Sequence, residues 1–550
     1  MGFLRAEHAR AVAAGFGRFR ASCGADGPES TGVLGVAAMA KSEKIKGKGL
    51  GLRRRTFLKG LAASAAGLVL GPQRVGAGTT FEETADVVIV GFGGAGASAA
   101  IAARAAGASV LVLESAETGG GTTALAGGIL YLGGGTGLQK ALGYEDTTDG
   151  MFDYLMASSG PHPDESKVRT FCERSVEHYD WLVKLGVPFK ASFYKGISLP
   201  LTDDGLLYSG SEKAWPFNRI TKPVPRGHKP QASGDGGGAL LMEHLVAGAV
   251  KAGTTAVRNT RATGLLNDGD GRVIGVSAEG PDGAKRYGAR RGVILTSGGF
   301  CRNRKMMELY APQYLGCDSP IGVAGDDGSG ILMATAAGAA AIRMDACFTA
   351  MPFHPPEKLI EGILVNASGA RFVNEDVYYG ETGNEIVRKQ GGRATLVLDA
   401  GVDVESAYAR PAELGEADSI EELEKAAGLP EGALVQTVAY YNRHAADGKD
   451  PLFQKHAEYL RPLDKPPFRA LGVSTDQAYY PYFTLGGLHT NVNGEVFDGG
   501  GKAIPGLYAA GRTTSGVAAL GYSSGVSISD ATLFGRFAGE SAAAATPYKT

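Results

Sequence analysis

The chain has 550 residues, 44% hydrophobic and 20% charged, with a formal net charge of −2. That length is enough for two or three domains. The balanced charge excludes a polyanion-binding protein, so no nucleic acid is expected as partner. Glycine is the departure: 84 residues, about twice the roughly 7% share of ordinary proteins. The glycines fall in short clusters beside apolar runs, the pattern of tight turns and close backbone–ligand approach rather than of a disordered chain.

In chain order, residues 53–59 read Arg53-Arg54-Arg55-Thr56-Phe57-Leu58-Lys59, followed by a weakly apolar Ala/Gly run to Gly71 and small residues at Val75-Gly76-Ala77. This is the layout of a twin-arginine export signal. Export of a folded, cofactor-loaded protein to the periplasm or cell envelope is therefore expected. Translation can start at Met1 or Met39, since Met39–Lys59 already supplies a basic n-region. Residues 1–80 are set aside as extension and signal. Beyond them no apolar stretch reaches membrane-spanning length, so the mature chain is expected to lack an integral membrane segment.

Ala85–Val90 is a continuous apolar run of strand type, followed by Gly91-Phe92-Gly93-Gly94-Ala95-Gly96, a small-residue helix and a second strand ending at Glu114, 23 positions after Gly91. Strand, glycine turn, helix and acid at this spacing form a dinucleotide-binding unit. Gly91 permits the turn, Gly93 and Gly94 with Ala95 bring backbone to the pyrophosphate, and Gly96 lets helix and strand pack. Glu114, with Ser115 beside it, faces the ribose hydroxyls, and the helix N-terminus faces the phosphates.

A second glycine cluster, Gly119-Gly120-Gly121-Thr122-Thr123-Ala124-Leu125-Ala126-Gly127-Gly128, follows at once. A nicotinamide dehydrogenase does not need it there; a longer cofactor lying along the domain does. Two further strands end in glycine turns, at Ser297-Gly298-Gly299 and at Gly511-Arg512 near the C-terminus. A fold that returns to its cofactor from the far end of the chain points to FAD. The five cysteines form no Cys-x-x-Cys pair, so neither metal, Fe–S nor haem attachment is expected, and electrons must pass to a separate acceptor, a quinone or a redox protein.

These segments, with Ala324-Gly325-Asp326-Asp327-Gly328, Gly369-Ala370-Arg371-Phe372-Val373-Asn374-Glu375, Thr484-Leu485-Gly486-Gly487 and Ala510-Gly511-Arg512, resemble, in order, the fumarate reductase/succinate dehydrogenase flavoprotein superfamily over about residues 84–545. The resemblance implies an α/β fold: a Rossmann-like FAD-binding domain in two parts, 84–345 and 482–550, with an inserted α+β capping domain at 346–481. It assigns cofactor contacts to Ser297, Gly298, Asp327, Gly511, Arg512, Ser527 and Ile528, besides Thr122, Thr123, Gly120, Gly121, Gly127 and Gly128. Arg512 stands where many relatives carry glutamate.

Within that superfamily, members acting on fumarate carry arginines that clamp carboxylates. The matching positions here are Tyr379 and Tyr522, and the histidine before Thr-x-Gly-Gly is Phe483. Phenols cannot balance a dianion as guanidinium does, so a neutral, largely apolar ligand is expected. Gly521-Tyr522-Ser523-Ser524-Gly525 is similar to the Gly-Tyr-x-Ser-Gly of 3-ketosteroid 4-dehydrogenases. The resemblance implies dehydrogenation of a 3-ketosteroid-like ketone beside its carbonyl: Tyr522 and Ser524 polarise the keto oxygen, and Tyr379 takes the α-proton directly or through a relay. Tyr482, Phe483 and Thr484 are further substrate-pocket candidates. His354 reads as structural. The alternatives are a flavin reductase of an activated alkene or unsaturated acid, and a flavin-binding protein without catalysis.

Overall fold

In the computed structural model the described residues are 73–75, 80–197 and 202–548. The twin-arginine segment, residues 53–59, lies outside them. The parallel core of the main sheet runs in the order Thr255–Val257, Val110–Leu113, Glu83–Val90, Gly283–Leu295, Ala503–Ala509. Two strands contiguous in sequence, Arg261–Asn267 and Val273–Gly280, join it as an antiparallel meander. The first nucleotide strand is apolar and buried from Val87 to Val90, where both its faces are covered. Val87 and Ile89 pack with Ala97 and Ala100 of the following helix, Gly94–Ala105, while Val88 and Val90 face a second core with Leu265 and Val276.

The closing helix Val526–Ala544 packs along Gly94–Ala105. Small residues permit the approach: a Cβ on Gly535 or Gly539 would overlap the backbone of Ala95 or Ala99. The chain's two ends thus build one nucleotide-binding layer.

The inserted region carries its own antiparallel sheet, ordered Ile363–Val365, Thr395–Asp399, Phe468–Gly472, Ala412–Ala417. Leu423, Leu434, Val438 and Tyr441 of the helices Ile420–Ala426 and Ala433–Ala445 pack into a core with Val397 and Ala470 of that sheet. This α+β unit over a Rossmann-like sheet is the expected fold class. The Arg371–Glu375 motif is explained here. Arg371 pairs with Glu375 at 2.6 Å and Asp450 at 2.9 Å, and Lys455 with Glu375 at 3.1 Å, all buried. Four charges pair two by two, which is how charge survives burial, and the network fixes the segment that leads into Tyr378 and Tyr379. No helix among the described residues is long and apolar enough to cross a membrane.

Candidate active site

Five backbone turns converge at the carboxyl ends of the parallel strands. Gly91 adopts φ +100°, and a Cβ there would stand 2.6 Å from the Thr296 carbonyl oxygen. A Cβ on Gly96 would overlap the Gly91 carbonyl, so only glycine allows helix and strand this close. At Gly93 the nearest obstacle to a Cβ is the Gly120 carbonyl oxygen at 3.8 Å. This leaves an open cradle between the first glycine turn and the second, above a helix N-terminus, which fits a pyrophosphate. Gly94 N–H donates to Thr123 Oγ1 at 3.3 Å. Gly120 and Gly121 have positive φ, and Gly127 and Gly128 press against the start of the helix Gly237–Lys251. Glu114 is buried at the end of its strand. Its carboxylate accepts from Phe92 N at 2.7 Å and Ala116 N at 2.8 Å, with the Ser115 hydroxyl at 3.3 Å. It is held for a ribose rather than free to rotate. This donor set, cradle and acid fit FAD.

Asp326 is the hub on the other side. Its carboxylate accepts from Thr122 Oγ1, from Gly299 N at 3.0 Å and from Arg512 Nη2 at 2.8 Å. It thereby joins the second glycine cluster, the Ser297-Gly298 turn and the Gly511-Arg512 turn. Asp327, the expected contact, instead pairs with Arg261 and caps Ser329 N at 3.0 Å. A buried guanidinium needs a carboxylate beside it, and Asp326 provides one for Arg512.

Beyond Arg512 the lining becomes aromatic. Cys347–Thr349 and Pro481–Thr484 pair antiparallel, with Phe348 opposite Phe483, and their rings lie 4.8 Å apart. Tyr522 touches both, at 4.8 Å from Phe348 and 5.5 Å from Phe483. Phe348 also stacks on Tyr378, which leans on Tyr379 at 4.3 Å between ring centroids. Phe483, Tyr522 and Tyr379, drawn from distant parts of the sequence, are therefore brought together.

The same strand separates the other two candidates, because side chains alternate across it. Tyr482 points into the core, its hydroxyl donating to the Cys301 carbonyl at 3.4 Å. Thr484 is fully buried under the Gly299–Phe300 turn, its Oγ1 accepting from Phe300 N at 3.1 Å. Neither lines the aromatic wall. His354 is buried edge-on between Phe353 and Tyr379. Burial pushes its imidazole down to about 4, so it is neutral.

Tyr522 stands over the N-terminus of the closing helix. Its oxygen accepts from Ser527 N at 3.4 Å and from the Gly525 backbone. Burial pushes this phenol up to about 12 against those bonds, so it is a neutral donor whose O–H is polarised by helix N–H groups. Ser527 and Ile528 form the first turn of that helix.

Two residues escaped sequence reasoning here. Tyr378 lies beside both Ser524 and Tyr379. Burial raises both phenols above their usual range. Phe348 was detectable only from its strand register with Phe483. The nearest cation to the wall, Arg512, lies 5.2 Å over Phe483, but its charge is matched by Asp326. The pocket is uncharged in sum, polar at Tyr522, Ser524, Tyr378 and Tyr379, and apolar elsewhere.

The family described as FAD binding domain matches residues 86–528. The crystal structure of 3-ketosteroid-delta4-(5alpha)-dehydrogenase from Rhodococcus jostii RHA1, in complex with 4-androstene-3,17-dione, is 45% identical. Its alignment covers 86% of this chain and 100% of that one, with a TM-score of 0.81. The 3-oxo-5-alpha-steroid 4-dehydrogenase of Comamonas testosteroni is 31% identical over 78% of this chain and 93% of its own. A fumarate reductase (cytochrome) of Shewanella frigidimarina is 32% identical over 84% of this chain and 77% of its own.

Proposed function

Since this chain belongs to the FAD-binding domain family, we propose that it uses FAD to dehydrogenate a 3-ketosteroid-like ketone beside its carbonyl. The observation that carries this reading is the uncharged aromatic wall. Where a dicarboxylate would need paired cations, Tyr379 and Tyr522 offer phenols, and the guanidinium nearby is already neutralised by Asp326. A flat apolar ketone fits such a lining, since burying it removes apolar surface and leaves only one oxygen to satisfy.

The chain's own groups divide the work. Tyr522 donates to the keto oxygen, and the helix N–H groups on its own oxygen strengthen that donation as the enolate forms. Ser524 accepts the α-proton and passes its hydroxyl proton toward Tyr378, which lies beside it. Tyr379, whose ring leans on Tyr378, stands next in line. The chain of hydroxyls only conducts the proton: Tyr379 releases it to bulk water, so that no hydroxyl of the chain keeps it and no tyrosinate has to exist before the reaction. When bound, FAD supplies the acceptor for the β-hydrogen as hydride.

Anaerobic stopped-flow mixing tests the reading. Rapid bleaching of bound flavin by saturated 3-ketosteroids, with none by succinate, is expected; bleaching by succinate alone would sink it.

We propose further that the chain is exported through the twin-arginine pathway to the periplasm or cell envelope, on the strength of Arg53–Arg55 and the run after it. A reporter fused to residues 39–80 should be exported, and its Arg53→Lys/Arg54→Lys/Arg55→Lys form should not. The absence of cysteine pairs at haem or Fe–S spacing in the sequence supports a separate acceptor, a quinone or redox protein.

A further inference from the structure

Four segments remote in sequence meet behind the catalytic hydroxyls. Ser211 Oγ donates to Glu381 Oε2 at 2.9 Å and accepts from Tyr378 N at 2.9 Å. Its own N–H donates to Tyr154 Oη at 2.8 Å, and that hydroxyl pairs with Ser523 Oγ at 2.9 Å. One strand end further back, Ser524 N donates to the Ser209 carbonyl at 2.9 Å. Ser209, Ser211, Tyr154 and Ser523 are all buried. Tyr378 is the residue just before the helix Tyr379–Lys389, where backbone N–H groups lack helical acceptors; Ser211 satisfies this one.

We infer that Ser211 is a positioning residue for the reaction, which ties the Tyr378 backbone and the Ser523-Ser524 loop to one segment, and that Glu381 sets the direction of its hydroxyl. This rests on the proposed roles of Tyr378 and Ser524. The logic is that of donors and acceptors. As a carboxylate, Glu381 can only accept, so the Ser211 hydrogen must point at it and a Ser211 lone pair is left for Tyr378 N–H. Once protonated, Glu381 can donate to the same oxygen and compete for it, and the hydroxyl loses its single orientation. A hydroxyl pair that must hand over a proton tolerates little displacement.

Burial pushes the Glu381 carboxyl up to about 7, against the Ser211 hydrogen bond. The charges facing it are Glu385 and Lys389 on its own helix, which bond each other at 2.7 Å, and Asp376 in the preceding loop. From the Ser211 side the next ionisable group is Glu212, bonded to Tyr131 Oη and Gly210 N. The orientation of Ser211 is therefore complete above about pH 7 and lost below it.

The test is the rate of flavin reduction by a saturating 3-ketosteroid, measured between pH 6 and 9 on the FAD-loaded full chain. We expect Ser211→Ala to slow that step about tenfold to a hundredfold, with the steroid dissociation constant changed less than about twofold. Ser211→Thr should restore most of the rate. The wild-type rate should rise through about pH 7, and Glu381→Gln should remove that rise. Wild-type rate and pH profile in Ser211→Ala would overturn the inference while leaving the proposed function standing. Should Ser211→Ala fail to retain flavin, Glu381→Gln decides alone: a flat profile supports the inference and an unchanged rise overturns it. A wild type that no 3-ketosteroid reduces would overturn the function and this inference together.

Discussion

The nucleotide half and the aromatic pocket solve the problem of holding a ligand in opposite ways. In the first, backbone does the work: Gly91, Gly93, Gly96, Gly120 and Gly128 remove side chains so that turns and a helix N-terminus can close on an anion. In the second, backbone only presents side chains. Phe348, Tyr378, Phe483 and Tyr522 arrive from separate stretches and touch through their rings. A backbone device tolerates almost no substitution at its glycines but reads the same in any chain. A side-chain device tolerates change and can therefore be retuned from a dianion to a ketone by exchanging arginine for tyrosine.

That contrast can be broken or sharpened by substitution. The largest effect is expected for Gly96→Val, which drives a side chain into the Gly91 carbonyl. FAD affinity should fall by more than about a hundredfold, read from flavin fluorescence on titration; a variant that keeps its flavin would break the comparison. Tyr522→Phe should leave flavin content unchanged and slow flavin reduction by about a hundredfold to a thousandfold in stopped flow.

Acid should weaken both regions at once. His228 in the first half and His354 beside Tyr379 are both pushed down to about 4 by burial. Their folded forms therefore resist protonation while the unfolded chain, near 6.5, accepts it. Stability is whole above about pH 6.5 and falls as pH drops toward 4, by at most about 3 kcal/mol for each histidine. Thermal unfolding at pH 7 and pH 5 measures it. Phe483→Ala should weaken steroid binding about tenfold by losing apolar contact, read from titration of flavin absorbance. Its neighbour Tyr482→Phe, which loses one long bond to the Cys301 carbonyl, should change binding less than about twofold.

The difference also explains what was legible in the sequence. The strand–turn–helix at Glu83–Ala105, the acid at Glu114 and the late glycine turn at Gly511 could be read directly, since glycine spacing is a local constraint. The aromatic site was legible only where a motif carried it, at Tyr379, Phe483, Tyr522 and Ser524. Tyr378 and Tyr379 are adjacent, and only the fold decides which reaches Ser524. Tyr482 and Thr484 were drawn in by nearness to Phe483, although a strand turns its neighbours the other way. Asp326 was passed over for Asp327, because its importance comes from Arg512, 186 residues away.

The strand Gly283–Leu295 pairs with Glu83–Val90 on one side and, at its end, with Ala503–Ala509 on the other, and the closing helix then covers the first one. The nucleotide half is thus closed only when its latest strand and helix have joined its first strand and helix. Its first residues must wait for its last, and the inserted α+β unit, itself paired across long stretches of chain, lies between them. Any change that unseats the closing helix from Gly94–Ala105 therefore disturbs the flavin cradle and the core together.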